Sequence, residues 1–267
     1  MVRASVIVVA LVAVAAPARA QSDVRTQEVP AATVPARLQP DATQDATWFK
    51  SLFIDLGNDI RQLPSIENAA ILGVGGGLSF AVHSEDRDIT REFTESPAVE
   101  EVLDPGENVG GGFVQFGAAL GVYILGRSSH SQRLSLAGAD LVRSQILNAG
   151  MTQGIKLAVG RTRPDGSRYS FPSGHTSSSF ATATVLQRHC GWRAGVPAYG
   201  LAAFVGGSRL QQNRHYLSDV IFGAAIGIVA GRATTVGHGR AMFAVSPYAL
   251  RGGGGVTFTL VPQGSAP

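Results

Sequence analysis

Cysteine is almost absent from this 267-residue chain: Cys190 is the only one. A single thiol closes no internal disulfide, and it excludes both a C-x-x-C redox pair and a cysteine-rich metal site. No phosphate-loop sequence surrounds Cys190, so it reads as a packed or inert thiol rather than a nucleophile. Charge is sparse too, at 15% of residues with a formal net of +3, and no dense basic run occurs. The chain therefore lacks the electrostatic footprint of a nucleic-acid binder. There is no H-E-x-x-H, no further carboxylate cluster near the histidine motifs described below, and no G-x-G-x-x-G opening a helix after a strand. Zinc or two-metal hydrolysis and dinucleotide binding are both disfavoured. No internal repeat is present. The apolar segments at 66–82, 109–125 and 217–230 are Gly-rich and fall short of the roughly 20 residues a spanning helix wants.

What is there is an ordinary 45% of hydrophobic residues and an unusual 33 glycines, enough for one domain of about 200 residues with a leader and tails. Arg3, an apolar stretch from Val6 to Ala16, and the small-residue site Ala18, Arg19, Ala20 predict a signal peptide over residues 1–20. Its removal would lower the formal charge from +3 to +1. The protein is then exported, either periplasmic or associated with the inner membrane and facing the periplasm. Residues 21–45, rich in Pro, Ala, Thr and Gln, have a linker composition.

From residue 46 to 240 the pattern predicts one all-α domain, a bundle of six to seven helices. Trp48, Leu52, Leu56 and Ile60 recur at helical spacing ahead of Pro64. Helices are expected over Ile66–Val82, Val109–Leu125, Ser131 to about Val159 (interrupted or bent near Gly150 and Gly154), Thr176–Arg188, Ala194–Ser208 and Leu217–Arg232. Residues 84–108 read as a loop with at most a short helix. In the tail, 241–267, Val256, Phe258 and Leu260 alternate with Thr257, Thr259 and Val261 after a four-glycine loop at 252–255. That pattern allows a short C-terminal β-hairpin or an unstructured tail.

Three clusters between 156 and 219 carry chemistry. Lys156 and Arg163 are seven residues apart, nearly two helical turns. Pro172, Ser173, Gly174 and His175 stand just before a helix, where free N–H groups make a ready anion site. Ser208 and Arg209 precede His215 and Asp219, and the last two are i and i+4, which puts a carboxylate within reach of an imidazole. Two arginines and a lysine can neutralise the oxygens of a transferring phosphoryl group. One histidine can attack phosphorus while the other protonates the departing alkoxide. A carboxylate on the far nitrogen fixes the tautomer of the attacking ring. Asp219 is placed to do so for His215, whereas His175 has no carboxylate nearby in sequence. His215 is thus the candidate nucleophile and His175 the candidate acid. Arg161 and Arg168 flank the site loop, Tyr216 packs, and Asp165 lies too near several cations for a role. His83, His130, His189 and His238 fall outside the clusters.

KLAVGRTRP at 156–164, PSGH at 172–175 and SRLQQNRHYLSD at 208–219 resemble the three motifs of the type 2 phosphatidic acid phosphatase and vanadium haloperoxidase superfamily, over roughly residues 110–232. The resemblance implies a helical-bundle core and metal-independent hydrolysis of a phosphomonoester, lipid or soluble, with no cofactor and with vanadate as an inhibitor. It implies phosphate binding by Lys156, Arg163 and Arg209, assisted by Ser173 and Gly174. His175 would be the general acid, His215 the nucleophile and Asp219 its orienting partner. Two alternatives stay open: a haloperoxidase holding vanadate as prosthetic group on His215, and a catalytically silent exported scaffold.

Overall fold

The computed structural model describes residues 48–103, 105–235, 241–250 and 253–262. The expected signal peptide and linker lie outside the described residues. Helix α1 (Trp48–Gln62) stops at Pro64, and α2 (Ile66–Val82) opens on Ser65, whose hydroxyl accepts the Asn68 N–H at 3.2 Å. Helices α6 (Gly112–Ser128), α7 (Gln132–Val159), α8 (Gly174–Cys190), α9 (Trp192–Gln211) and α10 (Leu217–Thr234) complete an all-α bundle. α7 runs through Gly150 and Gly154 as one helix of 28 residues. It ends where Gly160 turns left-handed at φ 62° and returns its N–H to the Lys156 carbonyl at 2.9 Å.

The segment expected to be a loop is mostly helical. After a 3₁₀ turn at His83–Glu85 come α3 (Asp86–Thr94), α4 (Pro97–Leu103) and α5 (Gly106–Gly110). Its periodicity was invisible because α3 buries polar residues: Asp86 and Thr90, one turn apart, are each 2% exposed. Asp86 and Asp88 in the first turn favour the positive end of the helix dipole, and Pro97 opens α4, where a missing N–H costs nothing. The C-terminal hairpin pairs β1 (Ala241–Leu250) with β2 (Gly253–Pro262), antiparallel. Gly253, Gly254 and Gly255 face Leu250, Ala249 and Tyr248 in this register, so they belong to the strand and not to a four-residue loop. Cys190 is exposed, which removes the packed alternative for its thiol.

The bundle is organised around α8, which lies among α7, α9 and α10. Along α8, Ala181 packs with Leu147 of α7 and with Ala230 and Ala233 of α10, Val185 with Leu141 and Val142 of α7, and Phe180 and Ala183 with Ala202 of α9. α8 and α10 run parallel and nearly touch. Cβ atoms placed on Gly223, Gly227 and Gly231 would come within 2.7 Å of the Ser173 carbonyl, 2.1 Å of the Ser177 carbonyl and 2.7 Å of the Ala181 carbonyl. Each step is one turn on both helices, so three glycines let the two backbones approach along their length.

α10 continues to Thr234 and reaches 18 residues, which makes it long and apolar enough to cross a membrane. The bent pairs Ser51–Gln62 with Ile66–Glu95 and Glu101–Gly110 with Gly112–Ser128 would qualify as well if each pair counted as one span. Large apolar side chains stand exposed around the bundle, among them Phe113 at 97%, Phe80 at 84% and Ile66 at 83%.

Replacing Gly227 by Ala should cost about 1–3 kcal/mol, the usual range for overpacking, and lower the thermal midpoint. Gly150→Ala, at an exposed helical position with no atom within 4 Å of the new Cβ, should be neutral or gain up to about 1 kcal/mol. Thermal melts of the two variants check the contrast.

Candidate active site

Lys156 lies in the last turn of α7, and the loop that follows is cross-linked at its base. The Ser170 amide donates to the Arg161 carbonyl at 2.8 Å, and the Arg163 amide donates to the Ser167 carbonyl at 2.7 Å. This delivers Arg163 beside the start of α8, where Gly174 is the first residue and His175 the second. Arg209 is near the end of α9. Its carbonyl accepts the amides of Arg214 and His215 at 3.1 and 3.2 Å, which fixes the short connection to α10. Asp219 then reaches back from the first turn of α10 to take the Tyr216 N–H at 2.9 Å.

His215 is 2% exposed and Asp219 is fully buried. The His215 Nδ1 stands 3.4 Å from Asp219 Oδ2, longer than an ordinary N–H···O bond, and makes no shorter hydrogen bond among the described residues. The rest of the Asp219 carboxylate is heavily engaged. Arg161 donates to Oδ1 at 2.7 Å, and the Ser170 hydroxyl donates to Oδ2. Arg161 also donates to Ser218 Oγ at 2.7 Å and to Asp86 Oδ2 at 2.8 Å, with its guanidinium 4.2 Å above the Tyr216 ring. Asp86 in turn accepts the Ser218 N–H at 2.9 Å. A buried Asp86–Arg161–Asp219 chain therefore stands behind the His215 ring. Removing one member of such a chain leaves an unpaired buried charge, at a typical cost of about 3–5 kcal/mol.

Three cations face the imidazoles. Lys156 is 7% exposed and donates from Nζ to the Tyr169 carbonyl at 2.6 Å. Burial, then the charge of Arg163, pulls its ammonium down to about 8. Arg209 is 2% exposed, donates to Gln212 Oε1 at 2.6 Å and lies 3.7 Å from Glu107. The Nε atoms of Arg163 and Arg209 are buried without a hydrogen-bond partner. His175 is pushed down to about 4, first by burial and then by the charges of Arg209, His215, Arg163 and Lys156. His215 falls to about 4 through burial, against the opposing pull of Asp219 and with Lys156 and Arg163 adding to the fall. Groups on α7, α8, α9 and the loops thus act on one small volume, and both rings are neutral at pH 7.

Lys156, Arg163, Gly174, His175, Arg209, His215 and Asp219 come together. Ser173 is nearby but committed elsewhere: its hydroxyl is fully buried and bonded to Thr176 Oγ1 at 2.9 Å, while its N–H donates to the Asp219 carbonyl at 3.0 Å. It pins α8 to α10. Arg168 turns outward over Tyr169, and Asp165 binds Ser167 and Arg214. His83 contacts Asp86 at 3.3 Å, His189 contacts Asp140 at 2.7 Å, and His238 lies outside the described residues. Asp86, Ser170 and Ser218 escaped the sequence reading. Asp86 lies 133 residues before Asp219 in a stretch without apolar periodicity, so no spacing could have joined them.

Residues 137–243 match the family model of the PAP2 superfamily, and that segment holds every candidate site residue. The match covers this segment, and it is to the PAP2 superfamily that the segment is similar. The lipid A 1-phosphatase of Porphyromonas gingivalis is 46% identical over 89 residues, which is 32% of this chain and 20% of that protein. The chain thus aligns with only about a fifth of that relative's length. Two crystal structures are similar. Aquifex aeolicus LpxE is 23% identical with a TM-score of 0.46, covering 56% of this chain and 93% of that one. The transmembrane PAP2 type phosphatidylglycerolphosphate phosphatase of Bacillus subtilis is 20% identical with a TM-score of 0.46, covering 70% and 94%.

The histidines give the fold a pH dependence. His215 binds its proton near 4 when folded and near 6.5 when unfolded, so the unfolded chain holds more protons between those values. The contribution to stability is complete above about 6.5 and is lost as pH falls toward 4. The thermal midpoint should therefore drop across that window, and His215→Asn should flatten the drop. Melting curves at half-unit pH steps check it.

Proposed function

We propose that this protein is an exported phosphatase that hydrolyses phosphomonoesters without a metal, through a phosphohistidine on His215. The observation that carries the reading is the convergence of two neutral imidazoles with Lys156, Arg163 and Arg209, with the Nε atoms of both arginines lacking a hydrogen-bond partner among the described residues. Lys156 and Arg209 are buried and Arg163 is half-buried, and the one carboxylate in an ion pair with them among the described residues is the exposed Glu107, 3.7 Å from Arg209. The positive charge left over calls for an anion, and the donors suit the oxygens of a phosphoryl group. The free amides at the start of α8 add to the same field.

In this mechanism the lone pair on His215 Nε2 attacks phosphorus as the P–O ester bond breaks. His175 gives its proton to the departing alkoxide. Burial first, and then the surrounding cations, hold His175 neutral; phosphate charge in the pocket offsets the cations' part and so favours the protonated acid. Asp219, fixed by Arg161, Ser170 and the Tyr216 amide, stabilises the positive ring from the Nδ1 side. Water then attacks the phosphohistidine, its proton passes to His175, and phosphate leaves with both rings restored.

The substrate proposed is a lipid phosphate. The support is the exposed apolar surface, with Phe113, Phe80 and Ile66 among it, and an α10 long enough to span a bilayer. The phosphatase named among the relatives acts on a lipid, and the same class of substrate is proposed here. The enzyme would be membrane-associated, with its site facing the periplasm.

His215→Ala should abolish phosphate release from both an aryl phosphate and a phosphorylated lipid. His175→Ala should cost about 10²–10⁴-fold with a poor leaving group and far less with p-nitrophenolate. Equal losses on both substrates would remove His175 from the acid role. Steady-state assays on a leaving-group series decide it.

Vanadate should inhibit competitively, because it mimics pentacoordinate phosphorus, and EDTA should leave the rate unchanged. Full inhibition by chelator with insensitivity to vanadate would replace this mechanism with a metal-dependent one. Halide oxidation requiring added vanadate, with no phosphate release, would replace it with haloperoxidation.

A further inference from the structure

Among the described residues, four arginine Nε atoms are buried without a hydrogen-bond partner, and they fall into two pairs. Arg163 and Arg209 belong to the site above. The other two, Arg188 and Arg232, stand near the C-terminal ends of α8 and α10, the same parallel helices whose N-terminal ends frame the site. Thirteen residues separate His175 from Arg188 along α8, about 20 Å at the helical rise, so the second pair cannot share the first pair's ligand.

Arg188 and Arg232 line a cavity of about 260 Å³ with Gln62, Ser65, Glu67 and Asn68 from the α1–α2 junction. The two guanidiniums are close enough to repel each other. Helix C-termini attract cations, yet the carbonyls there use little of what these side chains offer. Arg188 donates one bond, 3.4 Å long, to the Thr235 carbonyl. Arg232 makes no hydrogen bond or ion pair among the described residues, although each guanidinium carries five N–H donors. Glu67 is the carboxylate in the lining; it is exposed and pairs with neither arginine. The opposite wall is firm, since Asn68 donates to the Gln62 and Leu63 carbonyls at 3.3 and 3.2 Å and its amide is held by Ser65. The N-terminus of α2 also opens here and adds positive potential. The volume holds a phosphate group and several waters, given about 30 Å³ per water.

We propose that Arg188 and Arg232 form a second, non-catalytic anion site that takes a phosphate group, free or as the headgroup of an anionic lipid. The site does not depend on the catalytic reading. If α10 spans a bilayer, it lies at the membrane face opposite the active site, where basic pockets between helices take anionic headgroups.

The test uses the full chain, Arg188→Gln/Arg232→Gln, and Glu67→Gln. Equilibrium dialysis with inorganic phosphate should count one equivalent fewer on the double variant than on the wild type, whatever the catalytic pocket binds. Flotation with phosphatidylglycerol–phosphatidylcholine vesicles, against phosphatidylcholine alone, reads the lipid source. The double variant should lose the preference for the anionic vesicles by about tenfold or more, the effect of losing roughly 1.4 kcal/mol. Loss in the dialysis arm alone identifies a free anion, and loss in the flotation arm alone identifies a lipid headgroup; either supports the site. Unchanged turnover of an aryl phosphate shows that the double variant is folded. Should it not fold, Glu67→Gln decides alone, since removing the exposed carboxylate should tighten the distal anion a few-fold. Equal phosphate equivalents on the wild type and the double variant, with vesicle binding equal in wild type and variants, overturn the proposal.

Discussion

The close parallel approach of α8 and α10 is the constraint on which the rest of this molecule depends. Gly223, Gly227 and Gly231 meet the carbonyls of Ser173, Ser177 and Ala181 turn by turn, and any side chain there would push the helices apart. Because the two helices run in the same direction, both present their N-terminal ends to one place. One brings Gly174 and His175, with unpaired amides and a favourable dipole for an anion. The other brings Asp219, whose carbonyl takes the Ser173 N–H and whose carboxylate stands behind His215. The seam thus sets how far His175 lies from His215, and a shift of the helices would be a shift of the two rings.

Behind that seam the polar groups are spent on position. Asp219 is fully buried, a costly place for a carboxylate unless it is paired. Arg161, Ser170 and the Tyr216 amide supply the partners. Arg161 is itself held by Asp86, Ser218 and the Tyr216 ring. α3, which contributes Asp86, therefore belongs to the site through Arg161 and Ser218. The front of the pocket is the reverse. Lys156, Arg163 and Arg209 are crowded together without an adequate set of counter-charges, and the two imidazoles are driven neutral. This asymmetry between a satisfied back wall and an unsatisfied front is what suits the pocket to an anion.

Much of this was legible from the residues. Glycine, proline and apolar spacing placed the seven longer helices close to their observed limits, because amphipathic or Gly-rich apolar runs are what such helices bury. The short helices between 83 and 110 were not legible, because α3 turns Asp86 and Thr90 inward and shows no apolar stripe. The hairpin register was unreadable too: a run of glycines has no side-chain alternation to mark where a strand begins. Ser173 has a second partner that its motif did not show. Ser173 reads as an anion contact, but its hydroxyl is enclosed against Thr176, a fact that depends on how far α10 presses on α8.

By itself the sequence determined the all-α class and the set of groups able to handle a phosphoryl transfer. Both follow from local spacing and from the chemistry of histidine, arginine and lysine. Only the tertiary structure decided which of those groups share one volume. The back wall of Asp86, Arg161, Ser170 and Ser218, and the second arginine pair 20 Å or so along the same helices, join residues from distant parts of the chain. Such contacts are made by helix packing and burial, and neither leaves a fixed interval in a sequence.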